Sequence, residues 1–222
     1  MRTRLVFLCA VISILLVVGF VSIAGESTIS GNFSKAHQQR FLEGDIIFQG
    51  TDSEQCRAIK KATHSKFTHV GIIIMEHGAL YVLEAVEPVQ ITPLKNWIER
   101  GDKGYYTLMR MKDRETYLVP EKIAKARQLG EEMKGKQYDL YFNWSDDQLY
   151  CSELVWKLYK KAFDLELCPL KKLKDFDLSS PEVRAIMEKR YGKNPPLEEQ
   201  VVAPSDIAAS RLLYVVEKNN LR

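Results

Sequence analysis

A thiol, an imidazole and a carboxylate can together open an acyl bond. The sulfur attacks, the ring carries the proton, and the acid orients the ring. Few positions of the 222-residue chain could assemble that set. Cys151 lies in QLYCSELVWKLY, where Val155, Leu158 and Ala162, widened by Leu154 and Tyr159, make an apolar stripe. Lys157, Lys160 and Lys161 take the outer side. This spacing predicts a helix with Cys151 in its first turn. Backbone N–H groups and the positive helix end favour thiolate over thiol there. The same position also suits a small apolar residue capping a buried stripe, so the cysteine needs a base before it means chemistry.

Four histidines are available, His37, His64, His69 and His77. His37 falls in a polar leader and His77 in a turn, where exposure is the default. His64 ends a helical stretch, a usual place for an imidazole near terminal carbonyls. His69 is different. It sits inside FTHVGIIIM, a strand whose alternation places Phe67, His69, Gly71 and Ile73 on one face. A polar ring on so apolar a strand needs a partner. If the next strand returns through a two-residue turn at Glu76-His77, or a four-residue loop from Met75 to Gly78, Glu84 stands directly opposite His69. Cross-strand partners share a face, so Glu84 would orient the ring and stabilise its protonated form. A surface ion pair is the competing reading, and a three-residue loop would break the pairing.

The elements that must position these residues read as α+β. Strands are expected at 44–49, 67–75, 80–86, 105–111 and 212–216, and helices at 53–62, from Pro120 to about Lys134, from Cys151 onward and at 181–191, with a helical turn after Pro204. The chain shows no repeat, low-complexity tract or interdomain linker.

Compartment decides what cysteine means. Arg2 and Arg4 precede an apolar run from Leu5 to Val21, and Ser22-Ile23-Ala24 supplies small residues for cleavage after Ala24. Residues 1–24 therefore read as a signal peptide, 25–40 as a flexible leader and 41–222 as one domain. The expected location is the periplasm or cell envelope, with an uncleaved anchor as the alternative; the apolar run is a little short of the roughly 20 residues a spanning helix needs. Net charge is +3, and losing Arg2 and Arg4 leaves +1, which argues against a nucleic-acid partner. Three cysteines survive cleavage: Cys56, Cys151 and Cys168. An odd count in an oxidising compartment suggests one pair and one free thiol; with Cys151 free, the pair would be Cys56–Cys168.

EGDIIFQ, THSKFTHVGI, YVLEAVEPV, YDLYFNWSDDQLYCSELVWK and VVAPSDI together resemble the YiiX-type permuted papain-like amidase/peptidase family of the NlpC-type superfamily, over about Phe41 to Leu213. The resemblance implies a circularly permuted papain-like fold, an antiparallel β-barrel or sheet first and the nucleophile helix after it. It assigns Cys151 as nucleophile, His69 as base and Glu84 as the acidic third member. Substrates would be peptides, amino-acid amides, or cell-wall or lipid-linked amides; related permuted enzymes transfer or hydrolyse lipid acyl groups. A non-catalytic wall- or lipid-binding domain is the remaining alternative.

The chemistry expected of such a set is attack by the Cys151 thiolate, a thioester, and proton transfer by His69 to the leaving amine and then from water. The Cys151 backbone N–H is a first oxyanion donor, and Gln148 or Tyr150 a second. Asp45 reads as a turn-stabilising side chain, and Glu153 as pointing to another helix face than Cys151. No cofactor is expected. CxxC and HExxH are both missing, so no metal is expected either.

Overall fold

The computed structural model describes residues 40–219. The signal-peptide reading, His37 and most of the leader lie outside the described residues. Strand β1 (Ile46–Gln49) is entered through Gly44, whose φ of +86° is a left-handed turn that suits glycine. Helix α1 (Glu54–Thr63) starts at Ser53, whose hydroxyl accepts the Cys56 N–H. Strands β2 (His69–Glu76) and β3 (Ala79–Glu84) form a hairpin. Strand β4 (Gln90–Pro93) runs directly into α2 (Leu94–Arg100). Then come β5 (Tyr106–Met111), the single turn α3 (Arg114–Tyr117) and α4 (Pro120–Met133), which begins on its proline. After a long loop, α5 (Cys151–Phe163) starts on Cys151 itself. The chain finishes with β6 (Lys171–Lys172), α6 (Pro181–Tyr191), β7 (Gln200–Val201), α7 (Pro204–Ala208) and β8 (Leu213–Asn219).

Six strands make one antiparallel sheet in the order β4-β3-β2-β1-β5-β8, and β6 pairs with β7 apart from it. The sheet is open, which corrects the barrel among the expected forms. Both faces already have a cover, so closure has nothing left to bury. Ile46, Phe48, Val70, Ile72 and Leu83 pack toward α4 and α5. Ile47, Ile73 and Val82 point the other way, onto Phe41 and the α2 residues Leu94, Trp97 and Ile98. Alternation puts His69 and Glu84 on the α2 side, while α5 packs on the opposite face. His69 is the first residue of β2 and Cys151 the first of α5, so each stands at the start of its element.

Two other expectations change. Lys157 is buried, not outward. The loop before α5 folds over it, and its ammonium meets Glu153 at 2.8 Å and Asp146 at 2.9 Å, above the Trp144 ring. Cys56 and Cys168 are not bridged; with Cys151 they are the free cysteines among the described residues. Cys56 stands in the first turn of α1, against Thr51 Oγ1 at 2.9 Å, and Cys168 follows α5, where its carbonyl accepts the Trp156 indole N–H. The lysines at 171, 172 and 174 are paired, with Asp206 at 2.6 Å and with Glu198 at 2.7 and 2.6 Å.

Candidate active site

The hairpin joins His69 to Glu84 by a route other than the expected one. Ile72 pairs with Leu83 and Glu76 with Ala79, leaving His77-Gly78 as the turn. Both turn residues have positive φ, +49° and +78°, as a two-residue hairpin matched to strand twist requires. Continuing this register sets Gly71, not His69, opposite Glu84. The shift is two residues, so the face is unchanged and Glu84 becomes the diagonal neighbour of His69. Gly71 makes the diagonal reachable. A Cβ there would lie 2.3 Å from Val82 Cγ1 and 2.9 Å from the Leu83 carbonyl oxygen. With that space left to backbone, His69 Nε2 stands 2.5 Å from Glu84 Oε2.

Glu84 is fully buried and gathers four donors. Besides the ring, Trp97 Nε1 donates to Oε2 at 2.9 Å and Thr92 Oγ1 to Oε1 at 2.6 Å, and Arg100 Nη2 closes on Oε2. Gln90 Nε2 donates to Thr92 Oγ1 at 3.2 Å, which turns the threonine proton toward the carboxylate. Burial works against this charge, but the bonds and charges of His69 and Arg100 outweigh it and hold the carboxyl near 2. Trp97 also stacks on the His69 ring, 5.9 Å between centroids. Thr92, Trp97 and Arg100 were not foreseen. Trp97 and Arg100 stand three apart on α2 and therefore share a face, a signal that pairing arguments confined to β2 and β3 do not reach.

With Nε2 on Glu84, Nδ1 is the nitrogen left for the thiol. Burial pushes the His69 ring down; hydrogen bonding first to Cys151 and then to Glu84, together with their charges, overcomes it and raises the ring to about 9. This favours the protonated ring at neutral pH, with the carboxylate on its Nε2 side. Cys151 is buried at the N-terminus of α5. It opens onto an apolar cavity of about 100 Å³ between α1, α6 and the 201–204 segment, lined among others by Ile59, Tyr138, Leu173, Ile186 and Val202.

The remaining candidates fall elsewhere. Asp45 accepts the Leu42 N–H at 2.8 Å and meets Arg110 through both oxygens at 2.7 Å, a clamp on the turn before β1. Glu153 faces Lys157, accepts the Tyr150 N–H at 3.3 Å, and is pushed up to about 7 by burial. His64 pairs with Asp177 at 3.1 Å on the surface, not with helix carbonyls. Gln148 is exposed. The Tyr150 hydroxyl lies in the cavity wall and accepts the Val202 N–H at 3.1 Å. Cys56 carries a signal the sequence did not show. Burial would raise its thiol, but hydrogen bonds with Ser53, Thr51 and Thr68 and the nearby His69 charge bring it below the ordinary value. Cys151 lines the cavity; Cys56 is not in its wall.

Known proteins match this chain along most of its length. The family model described as permuted papain-like amidase enzyme, YaeF/YiiX, C92 family, matches residues 40–217. The Escherichia coli K12 protein YiiX is 47% identical over 175 residues, 79% of this chain and 85% of its own. A crystal structure described as the metalloprotein yiiX from Escherichia coli O157:H7 superposes with a TM-score of 0.77 at 46% identity, covering 81% of this chain and 98% of that one. With matching residues that span the sheet, the histidine strand and the cysteine helix, the chain belongs to the permuted papain-like amidase family of the YaeF/YiiX type.

Proposed function

We propose that the protein is an exported cysteine hydrolase that cleaves amide bonds through a thioester, with Cys151 as nucleophile, His69 as proton carrier and Glu84 as the acid that orients the ring. The observation that carries this reading is the His69–Glu84 contact at 2.5 Å beside a cysteine on the first residue of a helix. In the reactive form the Cys151 sulfur has given up its proton beside the protonated ring, and that sulfur attacks an acyl carbon. The imidazolium then protonates the departing amine and, as free base, draws the proton from the water that opens the thioester. Glu84 is held ionised throughout and stabilises the imidazolium without taking its proton.

The cavity wall favours one extension of this reading. Its side chains are mostly aliphatic and aromatic, which suits an apolar acyl group on the carbonyl side of the scissile bond, as in a lipid-linked amide. A lipid acyl hydrolase or acyltransferase would use the same three residues and the same cavity. The described name of the solved relative raises the question of a metal. Glu84 is occupied by four protein donors and His69 Nε2 by Glu84, leaving one ring nitrogen and one sulfur, short of the three ligands a catalytic zinc takes from protein. No group of three His, Cys, Asp or Glu with ligand geometry stands among the described residues. His69, Cys151 and Glu84 as bonded here therefore do not fit a catalytic zinc, and the mechanism uses none.

The test is intact-mass trapping of the acyl-enzyme from a panel of wall peptides, N-acyl amino acids and phospholipids. Amide-derived adducts on Cys151 support the proposal, phospholipid-derived adducts move it to the lipid reading, and full turnover in Cys151→Ala refutes both.

A further inference from the structure

The cavity beside Cys151 contains two phenols, Tyr138 and Tyr150, and a hydrogen-bond chain settles the direction of one of them. Arg190 Nη2 donates to Gln55 Oε1 at 2.6 Å. A guanidinium only donates, so it decides which end of the Gln55 amide is oxygen. The amide nitrogen then faces Tyr138 and donates to its hydroxyl at 2.9 Å. A hydroxyl that accepts at this point must send its own proton elsewhere, and among the described residues that proton is given to no hydrogen bond. Tyr138, Gln55, Arg190 and Cys151 all line the one cavity. Burial, followed by the charge of Cys151, lifts the Tyr138 phenol well above its ordinary range, so it remains a protonated donor. The Tyr150 phenol is raised by burial and then by Glu153, ahead of Cys151, and its hydroxyl is tied to the 202 backbone.

We infer that Tyr138 is a catalytic residue that donates its O–H to the oxyanion formed at Cys151, with Gln55 and Arg190 as the positioning residues that aim it. As the C–S bond forms, the carbonyl π pair moves to oxygen, where Tyr138 and the Cys151 N–H each give a hydrogen bond. Tyr138 keeps its proton, and His69 alone carries the proton that reaches the leaving group. Arg190 stacks on Phe142, 4.9 Å from the ring centroid, which holds the far end of the chain in place. The inference rests on the cysteine-hydrolase reading but concerns a residue outside the set assigned there.

The experiment compares two reactions of one thiol. Acylation by p-nitrophenyl butyrate develops an oxyanion; alkylation by iodoacetamide develops none. Tyr138→Phe should lower the acylation rate about 100- to 1,000-fold, the usual loss of one oxyanion donor, while alkylation of Cys151 stays within about twofold, since the thiolate pair is untouched. Gln55→Glu replaces the donor facing Tyr138 with an acceptor and keeps a partner for Arg190. It should reproduce the same selective loss, and the double variant should be no slower than Tyr138→Phe. Normal acylation in Tyr138→Phe overturns the inference, as does a loss that appears in Tyr150→Phe instead. Equal losses of acylation and alkylation also overturn it, because they show a structural role. A wild-type enzyme that takes up no acyl group on Cys151 overturns the hydrolase reading itself, a result distinct from the others.

Discussion

Replacing Glu84 with Gln keeps the shape of the site and removes one charge. The side chain is fully buried, with Trp97, Arg100 and His69 on one oxygen and Thr92 on the other. An amide can leave its oxygen with the first three donors and turn its NH2 toward Thr92, whose hydroxyl can rotate to accept. The charge balance has no such repair. His69 titrates near 9 against an ordinary 6.5, a difference worth about 3 kcal/mol, and Cys151 and Glu84 share it. The ring is 12% exposed, so solvent screens little of this. Losing Glu84 removes one of two supports and leaves the Arg100 guanidinium unopposed beside the imidazolium. The ring should fall by roughly one to two pH units, and the transition state, which keeps the imidazolium, should lose about 2–4 kcal/mol, or about 30- to 1,000-fold in kcat. NMR titration of the His69 ring reads the first quantity and initial rates on a trapped substrate read the second. A kcat within threefold of wild type, or an unmoved ring titration, refutes the assignment of Glu84 as the orienting acid.

Stability should follow pH through the same pair. The depressed Glu84 carboxyl contributes fully above its unfolded value of 4.5 and loses its contribution as pH falls toward 2; the raised His69 contributes fully below 6.5 and loses its contribution as pH rises through 9. Thermal melts should plateau between these unfolded values and fall on both sides, and Glu84→Gln should flatten both limbs. His69→Ala should slow iodoacetamide labelling of Cys151 by more than about tenfold and abolish turnover, because charge partner and proton carrier go together; unchanged labelling would remove the ring from the nucleophile's environment. Cys151→Ser should melt within a few degrees of wild type with negligible activity, whereas retained activity would make the cysteine a core residue. Peptide mapping should find Cys168 slow to alkylate, since burial pushes its thiol up to about 12, and Cys56→Ala should keep turnover because Cys56 lies outside the cavity wall; lost turnover there would name Cys56 as a second functional thiol. Gly71→Ala should cost about 1–3 kcal/mol in a denaturant melt through its contact with Val82 and the Leu83 backbone, and an unshifted midpoint would show that the hairpin accommodates a side chain there.

Local pattern was enough for the elements around the site. The apolar stripe after Cys151 is a helix because those residues recur on one side of it, and Cys151 begins that helix as the spacing requires. Strand alternation put His69 and Glu84 on one face, and that held although the register was off by two, since a shift of two preserves face. Which turn closes the hairpin depended on His77 accepting a positive φ, a preference a non-glycine residue reveals weakly. Partners distant in sequence needed tertiary structure. Lys157 reads as an outer residue from helix periodicity, yet the loop carrying Trp144 and Asp146 covers it. The donors Thr92, Trp97 and Arg100 converge on Glu84 because β4 pairs with β3 and α2 then crosses the face below. Tyr138, Gln55 and Arg190 come from three separate segments, and only packing around the cavity brings them together. Sequence spacing determines which side of an element a residue takes; what stands across from that side is decided by how the elements pack, because the forces that bury them act between surfaces the chain order does not adjoin.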